Sequence, residues 1–150
     1  MEVRHLTESD AVAIATWHYP GRYATYDVRE IVTPERGFWA VDQEADLVGY
    51  CCFGHEARVP GVVEEDGVLD VGYGMRPDLI GHGLGRAFVR AILDFAVDMY
   101  SPRRLRLLIL GWNDRSLKVA EALGFQSEGV QESTEGSFVV MTHRERPAEA

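Results

Sequence analysis

Glycines alternate at 81, 83 and 85 in the run Met75-Arg-Pro-Asp-Leu-Ile-Gly-His-Gly-Leu-Gly-Arg86. The run follows a strand-like stretch and opens a helix-like one. Glycine loses more backbone entropy on folding than any other residue, so such spacing points to unusual φ/ψ or to close approach by another group. The first turn of a helix offers unpaired N–H groups and the positive end of the dipole, which suits a phosphate. The charges agree. A first turn normally favours Asp or Glu, yet this one carries His82 and Arg86 and no acid until Asp94. Basic groups there are unfavourable unless an anion lies between them. The competing reading is a tight turn that lets helix and strand pack closely. A nucleotide-binding Walker loop is excluded because Gly-Lys-Ser/Thr is absent. A dinucleotide fingerprint is excluded because the spacing is G-x-G-x-G and too little chain follows for a doubly wound sheet.

Other residue types narrow the chemistry. The histidines His5, His18, His55, His82 and His143 have no ligand spacing, and the adjacent Cys51 and Cys52 give no C-x-x-C, so no metal site is expected. Two adjacent cysteines and no others suit a reduced, cytoplasmic chain better than a stapled secreted one. The start MEVRHLTESD has neither a charged n-region nor an apolar h-region. A net charge of −9 argues against nucleic acid as a ligand and would attract a cationic substrate. No apolar run approaches the roughly 20 residues that span a bilayer, so no membrane partner is expected.

The elements that would position these groups can be read along the chain. The 150 residues suit one domain, 1–150, with the tail 146–150 frayed. Val3–Leu6 reads as a strand, and Thr7–Asp10 supplies N-cap residues for a helix carrying Val12, Ile14, Ala15 and Trp17. Pro20 and Gly21 stop it before the aromatic run WHYPGRYATYD ends. Phe38–Val41 and Leu47–Phe53 read as a hairpin about the turn QEAD, followed by a loop from Gly54 to Gly67. Val68–Met75 alternates as a strand, and Arg104–Leu110 has the apolar character of a central one. Between them Leu84, Phe88, Ala91, Ile92, Phe95 and Met99 mark an amphipathic helix. A further helix runs from Asp114 to Leu123, with Gly124 and Phe125 as glycine cap and hydrophobic contact. Strands at Phe125–Val130 and Phe138–His143 flank the turn TEGS. The strand–helix–strand crossover favours a right-handed parallel pair, and the rest of the sheet is hairpin-connected. The class is α+β with a mixed sheet.

The glycine segment, read as Ile80-Gly-His-Gly-Leu-Gly85, resembles the GNAT motif Q/R-x-x-G-x-G/A. The run Asn113-Asp-Arg-Ser-Leu-Lys-Val-Ala-Glu-Ala-Leu-Gly-Phe125 is similar to that family's second block, and the likeness covers about residues 36–143. The resemblance implies the acyl-CoA N-acyltransferase fold, whose central parallel strands splay around the cofactor, with helices on both faces of a mixed, mostly antiparallel sheet. It implies transfer of acetyl from acetyl-CoA to a primary amine by direct attack in a ternary complex, releasing coenzyme A. Main-chain groups of Met75 and Arg76 would pair with the pantetheine arm. The amides of Gly81, His82, Gly83, Leu84, Gly85 and Arg86 would hold the pyrophosphate, and Asn113 and Ser116 would contact the cofactor. The acceptor would be a small-molecule or peptide amine. Small domains of the family are often homodimers.

Two departures stand out. Ile80 replaces the polar residue that begins the motif, and Ala120 stands where many members carry the Tyr that protonates the departing thiolate. The family's commonest place for a base falls on Leu69, with Asp70 beside it. Asp70 is the carboxylate on the strand leading into the loop, and it is the expected general base if a bulge shifts the strand's parity. Otherwise it faces the opposite side of the sheet and pairs with an arginine or caps a loop amide. Trp17, Tyr19 and Tyr26, with His55 from the loop, are the expected acceptor pocket, against a plain packing role for each. A non-catalytic acyl-CoA sensor and a purely interacting domain remain as rival classes. Cofactor binding and thioester consumption separate them.

Overall fold

The computed structural model describes residues 1–145, so the expectation for the tail 146–150 lies outside the described residues. The strands form a mixed seven-stranded sheet in the order β1-β2-β3-β4-β5-β7-β6. The chain divides into two compact units, one of residues 1–52 and 73–92, the other of residues 53–72 and those after 92. Among the described residues, no helix is long and apolar enough to cross a membrane.

The first unit begins with β1 (Glu2–His5) and α1 (Glu8–Ala15). Thr7 caps α1 by accepting the Asp10 N–H, while Asp10 accepts the Thr7 N–H in return. Arg4 joins this cap to β2 (Phe38–Gln43), donating to Asp10 and to Asp42, each at 2.6 Å. The cap is thus part of the tertiary structure. Trp17 lies beyond the end of α1, and Val12 is exposed, so the apolar stripe is shorter than the sequence suggested. The aromatic run folds into a 3₁₀ turn, Gly21–Tyr26. β2 and β3 (Asp46–Phe53) pair antiparallel, with Gln43 opposite Asp46. The connecting Glu44 and Ala45 both take positive φ, as a two-residue hairpin turn demands. Gly49 has a packing reason: a Cβ there would lie 2.4 Å from the Phe88 ring. Phe88, Ile92, Ile14, Val41 and Val32 form the heart of this core.

The second unit holds the start of β4 (Val68–Met75), β5 (Arg104–Leu110), β7 (Gly136–Arg144) and β6 (Gln126–Ser133). β4 and β5 pair in parallel, joined through α2 (Gly85–Tyr100), as the crossover rule requires. Their register covers Val68–Arg104, Leu69–Leu105 and Asp70–Arg106, whereas β5 continues to Leu110 alongside β7. β6 runs three residues beyond the expected Val130, and a bulge between Ser127 and Gly129 carries it there. α3 (Asp114–Ala122) ends in a Schellman motif. Gly124, at φ +94°, donates to Glu121, and Phe125 donates to Ala120, both at 3.0 Å. Phe125 is buried behind it, so Leu-Gly-Phe is a cap read correctly from the sequence.

Candidate functional site

The loop between β4 and α2 lies in the first unit. After Met75 the chain makes a short 3₁₀ turn, Pro77–Leu79, and enters α2 at Gly85. Gly81 and Gly83 have φ of +84° and +78°, where a side chain would strain the backbone. A Cβ on either would meet nothing within 4 Å. These glycines therefore answer to backbone conformation and leave the outer side of the loop open. That excludes the close-packing explanation for them. The first turn of α2 contains no acid, and its leading amides have no intrahelical partner, as in any helix. The result is an exposed, electropositive helix end preceded by two left-handed glycines.

Met75 and Arg76, expected beside the pantetheine arm, also make bonds within the unit. The Arg76 N–H donates to the Val48 carbonyl at 2.8 Å, and the Arg76 carbonyl accepts from Leu79 at 3.0 Å. The Met75 carbonyl accepts the Tyr19 phenol at 2.6 Å. The peptide joining the two residues is thus already bonded on both sides. The Arg76 side chain is a brace as well, donating to Asp78, Asp46 and the Leu47 carbonyl. The guanidinium holds the Asp78 carboxyl below its usual range. These contacts fix the lead-in to the glycine loop from within the unit.

Tyr19 changes role for the same reason. It is buried, and burial raises its phenol above the ordinary value, with Asp27 adding to the effect. It therefore stays protonated and donates. Trp17 stacks on Tyr50 at 6.2 Å, and Tyr26 meets Tyr19 edge-on at 6.5 Å. The structure thus sets Trp17 against Tyr50 and Tyr19 against Tyr26, as two aromatic pairs. His55 belongs to the other unit, exposed on the 3₁₀ turn Gly54–Ala57.

In the second unit Asp70 is 1% exposed and encircled by arginines. Its Oδ1 accepts from Arg106 Nε at 2.5 Å, and its Oδ2 accepts from Arg106 Nη2 and Arg58 Nη1, each at 3.0 Å. Arg106 also donates to Glu65 and to the Val63 carbonyl. The pairing with Asp70 raises the Arg106 guanidinium above its ordinary value despite burial. This is the arginine-paired alternative for Asp70. Both oxygens are engaged and no solvent reaches them, so the expected role as base does not fit. The sequence did hold a signal for the partner. Arg106 interrupts the apolar run RLRLLIL, and a charge inside a central strand requires a counter-ion.

Asn113 caps α3, its side chain accepting the Ser116 N–H at 3.2 Å. Both residues expected to touch a cofactor thus have a structural role at that helix end. Ala120 is fully buried. Among the described residues, no group of three or more His, Cys, Asp or Glu could hold a metal ion.

A family model described as an acetyltransferase (GNAT) domain matches residues 1–126. The chain belongs to the GNAT acetyltransferase family. The GNAT match starts earlier and stops sooner than the motifs alone suggested, since it includes β1 and α1 and ends at the start of β6. A comparison with curated protein sequences gives no match. Among solved structures, the GNAT chain is similar to the aminoglycoside acetyltransferase AAC(6')-Ib in complex with coenzyme A. That likeness has a TM-score of 0.79 and 20% identity over 96% of this chain and 94% of the other. The ribosomal-protein-S5-alanine acetyltransferase from Vibrio fischeri matches with a TM-score of 0.69 and 20% identity, over 95% and 91% of the two chains. A GNAT-family acetyltransferase from Bacillus anthracis gives 0.72 and 15%, over 95% and 93%. At these identities the structures speak for the fold, and the family model makes this GNAT chain an acyltransferase.

Proposed function

We propose that the chain is an acetyl-CoA-dependent N-acetyltransferase, moving acetyl to a primary amine by direct attack in a ternary complex. The observation that carries this is the loop of Gly81 and Gly83, left-handed and open, set against an α2 first turn with no acid. A pyrophosphate suits that arrangement because backbone N–H groups and the helix dipole meet it without a competing carboxylate. Solved GNAT-type structures similar to this chain hold coenzyme A or acetyl-CoA, and some hold an aminoglycoside such as ribostamycin or kanamycin. The amides of residues 81–86 are the groups assigned to the pyrophosphate. Met75 and Arg76 are assigned to the pantetheine arm through their main-chain carbonyls, while their internal bonds brace the loop. The acceptor side is assigned to the aromatic side chains of Trp17, Tyr19 and Tyr26.

No general acid is required at position 120. A thiol titrates near ~8.5, so a thiolate leaves tolerably near neutral pH. Ala120 is fully buried, so Ala120→Tyr overpacks the interior at a cost of about 1–3 kcal/mol and does not raise turnover. A tenfold rise in kcat, worth roughly 1.4 kcal/mol of barrier, would show that protonation was limiting after all.

Calorimetry with acetyl-CoA tests the loop. Gly83→Val is expected to abolish binding, because a β-branched side chain at φ +78° forces the loop amides out of place, while circular dichroism reports that the rest of the chain stays folded. Unchanged affinity in that folded variant removes the phosphate-loop reading. Binding without thioester consumption across peptide, polyamine and aminoglycoside amines assigns the chain instead as an acyl-CoA sensor.

A further inference from the structure

The first unit contains a second acid–base pair besides the ion pairs described above. His18 follows α1 in the aromatic run, and its side chain is 76% exposed. Its Nδ1 lies 3.0 Å from Asp27 Oδ2, while Asp27 Oδ1 accepts the Tyr19 N–H at 2.8 Å. An ionised carboxylate can only accept, so the shared proton sits on Nδ1. That fixes the tautomer and leaves Nε2 with its lone pair on an exposed ring. The hydrogen bond from His18, then that from the Tyr19 amide, lowers Asp27 below its ordinary value and keeps it charged. The phenols of Tyr19 and Tyr50 also feel the Asp27 charge, and both are raised chiefly by burial.

Position links this pair to the glycine loop. Tyr19, whose amide holds Asp27, donates its phenol to Met75, the last residue of β4. One residue thus anchors the pair at its backbone and the loop's lead-in at its side chain. We propose that His18 is the general base of this chain, taking the acceptor amine's proton at Nε2, with Asp27 as the positioning residue. The assignment rests on the N-acetyltransferase reading. In the step, the amine lone pair forms a C–N bond to the thioester carbonyl carbon and the C–S bond breaks, its electron pair leaving on sulfur. The nitrogen's proton passes to Nε2. The imidazolium then returns one proton, through water, to the thiolate, so amine and acetyl-CoA become amide and coenzyme A with nothing left over.

His18→Gln and Asp27→Asn test it, assayed for thioester consumption with an alanine-terminated peptide, spermidine and ribostamycin as acceptors. His18→Gln is expected to cut kcat by about 10²- to 10⁴-fold, leave acetyl-CoA affinity unchanged by calorimetry and erase the acid limb of the kcat/KM profile. In Asp27→Asn the amide donates to Nδ1 and drives the ring proton onto Nε2, so kcat falls although the Tyr19 N–H keeps its acceptor. Added imidazole should restore part of the rate to His18→Ala. The proposal is overturned if His18→Gln stays within about twofold of wild type with its acid limb intact, while wild type binds acetyl-CoA and turns over. If wild type binds no acetyl-CoA, or binds it without turnover on any acceptor, the underlying N-acetyltransferase reading falls and this assignment with it.

Discussion

Two aspartates of this chain each hold a basic side chain, and they do so to opposite ends. Asp70 is sealed in the second unit between Arg106 and Arg58, with both oxygens engaged. Asp27, at the end of the first unit's 3₁₀ turn, holds the exposed imidazole of His18. A guanidinium never releases its proton in a protein, so Arg106 and Arg58 offer Asp70 no proton to exchange and hold it in place. An imidazole whose Nδ1 donates to a carboxylate keeps a lone pair on Nε2, so the Asp27 pair can accept and return a proton. Its place on the strand leading into the glycine loop made Asp70 a candidate in the sequence, yet in the fold it is buried with arginine partners on both oxygens. Whether a carboxylate is functional here depends on what its partner can do.

The sharpest way to break that contrast is to neutralise Asp70. Asp70→Asn leaves the Arg106 charge buried against a partner that cannot balance it, and breaking such a pair costs about 3–5 kcal/mol. Urea unfolding should show that loss, with activity per folded molecule retained. A stable but inactive Asp70→Asn would return the base to this strand.

Asp10 supplies an intermediate case, since its partner Arg4 is partly exposed. Hydrogen bonds from Arg4, foremost, hold Asp10 down from 3.8 to about 2. A folded-state value below the unfolded one stabilises the protein above the unfolded value and loses that contribution as pH falls through the folded one. The Arg4–Asp10 contribution, roughly 1–2 kcal/mol, should therefore be complete above about pH 4 and gone below about pH 2. Unfolding of wild type and Asp10→Asn, followed between those pH values, should converge as the acid is added. Parallel curves would deny the pair its role.

The smallest expected effect on stability is at Asp27. Asp27→Asn keeps the acceptor for the Tyr19 amide and should leave the thermal midpoint almost unmoved while activity falls. A large drop in midpoint with unchanged activity would make Asp27 a structural residue like Asp70, and the contrast would collapse.

What could be read from the sequence follows the same division between local and tertiary information. The Thr7–Asp10 cap, the Leu-Gly-Phe helix end and the glycine loop are each written in a few consecutive residues, and their backbone conformations are as expected. The crossover was legible too, because strand, amphipathic helix and apolar strand follow one another. The Asp70–Arg106 pair joins residues 36 apart, and nothing local to Asp70 identifies which arginine will face it. Tyr19 and Met75 lie 56 apart, so the sequence could place Tyr19 among aromatics but could not show that its phenol is bound to the strand end. The internal use of the Arg76 amide was hidden for the same reason, since its acceptor Val48 belongs to another strand.

The β2–β3 hairpin turn carries a consequence for engineering. Glu44 and Ala45 both occupy left-handed backbone that side chains disfavour, at φ of 51° and 66°. Asn-Gly adopts that geometry with less strain. The turn is exposed and contains neither the glycine loop nor the His18 segment. Natural chains keep such unspent stability wherever selection asks only that folding suffice. This tip is where a sturdier version of the protein can be made while its chemistry is left alone.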